Sequence, residues 1–224
     1  MSNLGIVVGV LLFLGTVGLL GLGALAAGWA LARGRPEVAR GLGLGGLGLV
    51  VLYGLVLAGV SLASRGAVLP LGQEKYFCEI DCHLAYAVTD VREVPSIGAE
   101  RAAGVFYLVT LRTRFDSTTI SSRRGMEPLA PNPRSVVVLD ADGHRYLPSS
   151  TAQSALDAAG LAGPRLSRPL APAESYATTI AFDLPAGVRQ PRLLLTEAGF
   201  PTPVIIGHEN SFFHAKTTFA LGQG

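Results

Sequence analysis

The chain has 224 residues, of which 49% are hydrophobic and 15% charged, with 28 glycines and a mean hydropathy of +0.42. That is too apolar for one ordinary water-soluble domain. The net charge of +2 gives no case for a nucleic-acid binder: residues 1–65 hold Arg33, Arg35, Arg40 and Arg65 against Glu37, a balance of +3, while the remaining residues hold 14 basic and 15 acidic side chains, a balance of −1.

No charged side chain occurs from Met1 to Ala32, nor from Gly41 to Ser64. A helix rises about 1.5 Å per residue, so about 20 apolar residues cross a hydrocarbon core of about 30 Å. Two transmembrane helices are therefore expected, over residues 4–31 and 42–63. Met1-Ser2-Asn3 lacks the basic start of a secretory signal peptide, and the apolar run is longer than a signal's, which favours a retained anchor. The connecting loop 33–40 carries three arginines, so the positive-inside rule places it in the cytoplasm. Both termini and the C-terminal domain then fall on the periplasmic side of a bacterial inner membrane. Trp29 and Tyr53 are candidate interfacial aromatics. The absence of ionisable residues from both spans argues against transport or an ion path.

Fourteen of the glycines, Gly41 among them, lie in the two charge-free stretches. Gly5-x-x-x-Gly9, Gly41-x-x-x-Gly45 and Gly54-x-x-x-Ala58 place small residues one turn apart, the pattern that lets helix backbones approach closely in lipid. One hairpin contact uses only some of these faces. A further partner in the membrane is expected, such as another integral subunit, a lipid or a pigment.

After a tether over residues 66–74, residues 75–224 are long enough for one domain with its own core. Tyr76, Cys78, Ile80, Cys82, Leu84, Tyr86 and Val88 alternate with more polar residues, which reads as one long half-buried strand. Further strands are expected over 104–115, 135–140, 144–147, 175–184, 191–196, 204–206 and 212–221. A single short helix is expected over 151–159, ended by Gly160. Asp140-Ala141-Asp142-Gly143 reads as a hairpin turn with Gly143 at positive φ. The fold class is thus two N-terminal transmembrane helices followed by an immunoglobulin-like antiparallel β-sandwich with one short helix.

The segments "GVFYLVTLRTRF", "VVVLDADGHRYLPS" and "LAPAESYATTIAFDLP", in that order, carry a family-level pattern. Over about residues 75–222 the chain resembles the bacterial extracytoplasmic immunoglobulin-like (telokin-like) domains of unassigned function. The resemblance rests on the D-x-D-G-x-x-Y hairpin and the P-x-E-S…F-D-L-P strand. It implies a fold and no functional residues, and the paired helices lie outside it.

Cys78 and Cys82 are the only cysteines. In one extended strand they would stand about 13 Å apart, against the roughly 4.4–6.8 Å that a disulfide permits. Buried free thiols and a bridge through a local kink remain alternatives. With His83 they spell C-x3-C-H, one residue longer than the haem-attachment motif, and on a strand His83 would face away from the cysteines. A two-cysteine copper site would want histidine and methionine beyond, where the chain offers Tyr86 and Met126. His83, His144, His208 and His214 share no ligand spacing, and no G-x-S-x-G occurs. Asp140 and Asp142 open like a calcium loop without its closing carboxylate. The loop 116–134 offers Arg123 and Arg124 to an acidic partner, and 198–210 sets apolar residues between prolines, suited to covering a sheet edge or touching a neighbour.

No constellation for catalysis stands out. The expected function is a non-catalytic accessory or scaffold subunit of a larger bacterial membrane complex, without a cofactor of its own. By analogy, energy-transducing complexes, photosynthetic or respiratory, carry such subunits. The alternative is a periplasmic redox or metal/haem-handling protein using Cys78, Cys82 and a histidine.

Overall fold

The computed structural model describes residues 3–79, 82–121, 123–197 and 199–222, without the side chains of residues 3, 4, 6, 78, 79 and 82. The chain forms two compact units. One comprises Met1–Arg65 and Gly199–Lys216, the other Gly66–Ala198 and Thr217–Gly224.

In the first unit, helix α1 runs Asn3–Ala32 and α2 runs Pro36–Leu62. Gly34, at φ +70°, ends α1. Its N–H donates to Leu31 O at 2.9 Å and the Arg35 N–H to Ala30 O at 2.9 Å, the paired bonds of a glycine C-cap. Pro36 then opens α2, where its missing N–H costs nothing. The reversal is thus shorter than the loop 33–40 expected from sequence, because Glu37 to Arg40 already form the first turn of α2. Both helices are long and apolar enough to cross a membrane, and almost none of either is buried within the chain. Leu25 is 73% exposed and Leu44 70%.

The second unit is a two-sheet β-sandwich. Its strands are β1 (Val68–Leu69), β2 (Lys75–Glu79), β3 (Cys82–Ile97), β4 (Glu100–Asp116), β5 (Arg134–Leu139), β6 (Arg145–Tyr146), β7 (Ser175–Leu184), β8 (Arg192–Glu197) and β9 (Thr218–Ala220). One sheet has the order β1-β9-β8-β5-β6 and the other β2-β3-β4-β7. The inner faces share one core, with Leu84, Tyr86, Val109, Leu111, Phe115 and Phe182 meeting Val138, Leu193, Leu195 and Phe219. A second core lies on the outer face of β4. There Phe106, Leu108 and Ala181 pack against Ala152 and Leu156 of helix α3 (Ser150–Ala158). Burial on both faces explains why Phe106-Tyr107-Leu108-Val109 is continuously apolar. The edge strand β7 is covered as well. Ser149 N–H donates to Ala181 O at 2.9 Å, Thr179 N–H to Ala162 O at 2.7 Å, and the Gln153 amide bonds Thr179 O and Ala181 N at 3.2 Å each.

Three expectations change. First, residues 76–88 are a hairpin: β2 and β3 pair antiparallel with Glu79 opposite Cys82. The reversal shifts the inward set by one position, so Phe77 enters the core while Tyr76 is 46% exposed. Second, the stretch expected as a tether contains β1, which pairs parallel with β9. The sandwich is therefore mixed rather than purely antiparallel, and with three helices the chain is not all-β. Third, residues 204–206 are not a strand: Thr202–Val204 is a 3-10 turn, and of 212–221 only Thr218–Ala220 is extended in a sheet.

The D-x-D-G-x-x-Y hairpin is built around Asp140. Its carboxylate accepts from Asp142 N and His144 N at 2.9 Å and from the Tyr146 hydroxyl at 3.0 Å, with His144 Nδ1 at 2.9 Å. Gly143 supplies φ +84°. Desolvation opposes ionisation of Asp140, but these bonds outweigh it and hold its pKa down to about 2, from 3.8. Asp140→Asn should therefore lower the thermal midpoint at neutral pH. Because the folded value is depressed, the stabilisation is present above 3.8 and lost as pH falls towards about 2, so the gap between wild type and variant should close over that window. Melting curves of both proteins from neutral pH into that range check this.

Candidate functional site

The unit that distinguishes this chain is the helical one, and its third component is Gly199–Lys216. This segment leaves the chain between β8 and β9 and lies on the helices. A Cβ on Gly9 would overlap the Ile206 carbonyl oxygen, so only glycine lets that carbonyl approach α1. The ring of Phe13 meets Phe200 edge to face with centroids 6.3 Å apart. The Tyr53 hydroxyl of α2 donates to Val204 O at 2.7 Å, and Ala215 N–H to Ser64 Oγ at 2.8 Å. The sequence suits Tyr53 to a place at or near the membrane interface and residues 198–210 to a sheet edge or a neighbour; the pairing of the two is long-range and leaves no local signal.

The other small-residue faces are open. Nothing lies within 4 Å of where a Cβ would stand on Gly5, Gly41, Gly45 or Gly54, and Ala58 is half-buried. The close approach between α1 and α2 falls at Gly46, where Leu20 Cδ2 would stand 3.5 Å from a Cβ. Beside it the helices part around an apolar cleft of about 520 Å³, lined by Leu19, Gly23 and Ala27 of α1 and Gly41, Gly45 and Leu49 of α2. At the reversal Arg33 stacks over the Trp29 ring at 4.9 Å, leaving a cation and an indole at one end of the hairpin.

In the β2–β3 hairpin the register sets Cys78 opposite His83. Directly paired positions share a face, so the expectation of opposite faces changes for position 78, while position 82, next to His83 in β3, keeps it. The side chains of Cys78 and Cys82, and with them a bridge or any ligation, lie outside the described residues. The His83 ring meets Tyr76 edge to face at 6.2 Å, and among the described residues neither ring nitrogen has a hydrogen-bond partner. Arg124 folds back, with Nη1 donating to Glu127 O at 2.7 Å and its guanidinium over the Phe115 ring at 5.0 Å, while Arg123 is exposed.

The ionisable clusters of the sandwich serve its architecture. Glu74 takes a bidentate pair from Arg114 at 2.8 and 2.7 Å and a bond from Arg112 at 3.2 Å. Arg114 chiefly holds the Glu74 carboxyl below its ordinary value. Thr118, first among several partners, does the same for Asp116. Buried Lys75 donates to Leu195 O of the opposite sheet at 2.8 Å, and Arg134 lies over Phe77 at 4.3 Å with Glu197 3.5 Å away. Asp140, Asp142 and His144 bring ligand atoms within 4.8 Å of one another. Asp140 is occupied in closing its turn, and Asp142 accepts two bonds from Arg189 at 2.8 and 2.9 Å. The cluster is read as a turn rather than a metal centre.

No protein-family model and no curated protein matches the chain. Among solved structures, it is similar to MPT63, a secreted protein from Mycobacterium tuberculosis, at 13% identity over 70% of this chain and 99% of that one, with a TM-score of 0.44. It is also similar to a conserved hypothetical protein from Bacillus anthracis, at 15% identity over 56% and 88% of the two chains, with a TM-score of 0.36. At these values neither likeness assigns a family or a function.

Gly9→Leu should expel the Ile206 carbonyl and loosen Gly199–Lys216, raising hydrogen exchange and protease cleavage there while the sandwich strands stay protected. Tyr53→Phe, which removes one hydrogen bond worth about 1 kcal/mol, should have a smaller effect of the same kind. Exchange mass spectrometry of the three proteins in detergent reads the difference.

Proposed function

We propose that this chain is a non-catalytic accessory subunit of a larger bacterial membrane assembly. In this reading α1 and α2 cross the inner membrane as a hairpin with the Arg33–Arg40 arginines on the cytoplasmic side. The sandwich, of the telokin-like extracytoplasmic kind, braces the periplasmic face.

The observation that carries the reading is the open cleft lined by Gly41, Gly45 and their neighbours. Lipid gives helices no hydrophobic drive to associate, so intramembrane partners are held by close packing over small residues. Here that packing surface exists and the chain itself does not fill it. A transmembrane helix of another integral subunit suits the cleft, because glycine faces allow backbone approach along a full turn or more. The absence of ionisable residues from either span supports a structural task over conduction or transport. The use of the sandwich's charged groups for turns and staples between sheets supports bracing rather than chemistry.

Gentle detergent extraction followed by native mass measurement should recover the wild-type chain with integral partners. Gly45→Leu, which meets nothing within the chain, should release them without changing the melting of the sandwich. Unchanged co-purification would count against the proposal.

A further inference from the structure

We infer that Gly199–Lys216 is itself a membrane element, a non-helical hook set into the outer leaflet with Phe200, Phe212 and Phe213 against lipid. The inference rests on the reading of α1 and α2 as membrane-spanning.

Depth is the first argument. Tyr53 stands thirteen residues past Arg40 on α2, a rise of about 20 Å, and Phe13 stands twenty residues before Arg33 on α1, a rise of about 30 Å. With the arginines at the inner boundary, a hydrocarbon layer of about 30 Å reaches past Tyr53 to the level of Phe13. The hook touches both residues, so Phe200 and Val204 lie in the outer part of that layer, while Ile206 meets Gly9, twenty-four residues before Arg33 and about 36 Å up, at headgroup level.

Composition agrees with depth. Gly199 to Gly207 contains no charged residue, whereas His208, Glu209 and Lys216 follow on the return. Phe200 is 81% exposed, Phe213 75% and Phe212 56%, while Ile205 and Ile206 are buried. Three exposed aromatic rings on one segment, one of them against Phe13 of α1, suit an interface where apolar side chains meet acyl chains.

The backbone gives the independent argument. Irregular backbone survives at membrane depth only where its polar groups are satisfied. Here five successive carbonyls each accept a hydrogen bond: Pro201 from Val204 N at 3.0 Å, Thr202 from Ile205 N at 3.4 Å, Pro203 from Phe212 N at 3.1 Å, Val204 from Tyr53 and Ile205 from His208 N at 3.1 Å. Pro201 and Pro203 remove two donors that would otherwise need partners.

The test uses depth-dependent fluorescence quenching in phosphatidylcholine nanodiscs whose acyl chains carry bromine near the carbonyl end. Trp29 is the chain's only tryptophan and reports on the helices in the wild type. Phe200→Trp in a Trp29→Phe background reports on the hook, and Phe213→Trp in the same background is the second probe. The inference expects brominated lipid to abolish most of the fluorescence of both hook probes, and aqueous iodide to affect them little. Quenching of Trp29 by bromolipid, with hook probes quenched only by iodide, would overturn the hook and leave the spanning helices standing. Trp29 untouched by bromolipid would overturn both.

Discussion

The apolar surface of α1 and α2 is the constraint on which the other features of the chain depend. Leu22, Leu25, Leu44, Leu55 and Leu62 are each more than 60% exposed among the described residues. An aliphatic side chain of that size gains about 1.5–3 kcal/mol on leaving water. Both helices are long and apolar enough to cross a bilayer, a solvent that would suit such a surface. The remaining features of the unit follow. Within residues 1–64 charge is confined to residues 33–40, Gly9 makes room for the Ile206 carbonyl, and the irregular segment in contact with the helices carries hydrogen bonds of its own.

The sandwich instead buries two cationic side chains, each with partners. Lys75 and Arg134 enter the space between the sheets only because Leu195 O, Glu197 and the Phe77 and Tyr86 rings receive them. Such contacts fix the sheets relative to one another, and hydrophobic packing of β4 on both faces supplies the bulk of the core. The chain crosses between its units after Arg65, after Ala198 and after Lys216.

What could be read in the sequence was what is local. Absence of charge marked both helices, and the period of two in Ser175–Leu184 gave β7 its bounds. Asp140 to Tyr146 announced its own turn through residue types that only one geometry satisfies. Long-range pairings were hidden. Alternation continued across the β2–β3 reversal, so a hairpin read as one strand with Phe77 on the wrong face. The two residues of β1 acquire meaning only from β9. The apolar Pro203-Val204-Ile205-Ile206 read as a strand, although its partners are Gly9 and Tyr53 on helices far earlier in the chain. Of the glycines singled out, Gly9 meets the hook and Gly41 and Gly45 line an open cleft, a difference that spacing alone does not encode.

Sidedness decides whether the hairpin spans. In a variant with Cys78 and Cys82 replaced by serine, Glu37→Cys would place a thiol beside the reversal, and Ser167→Cys one on the exposed surface of the sandwich. A membrane-impermeant maleimide applied to intact cells with a permeabilised outer barrier should label Ser167→Cys at once and Glu37→Cys only after the inner membrane is opened. Equal labelling of both before opening would contradict the spanning hairpin and the assembly built on it.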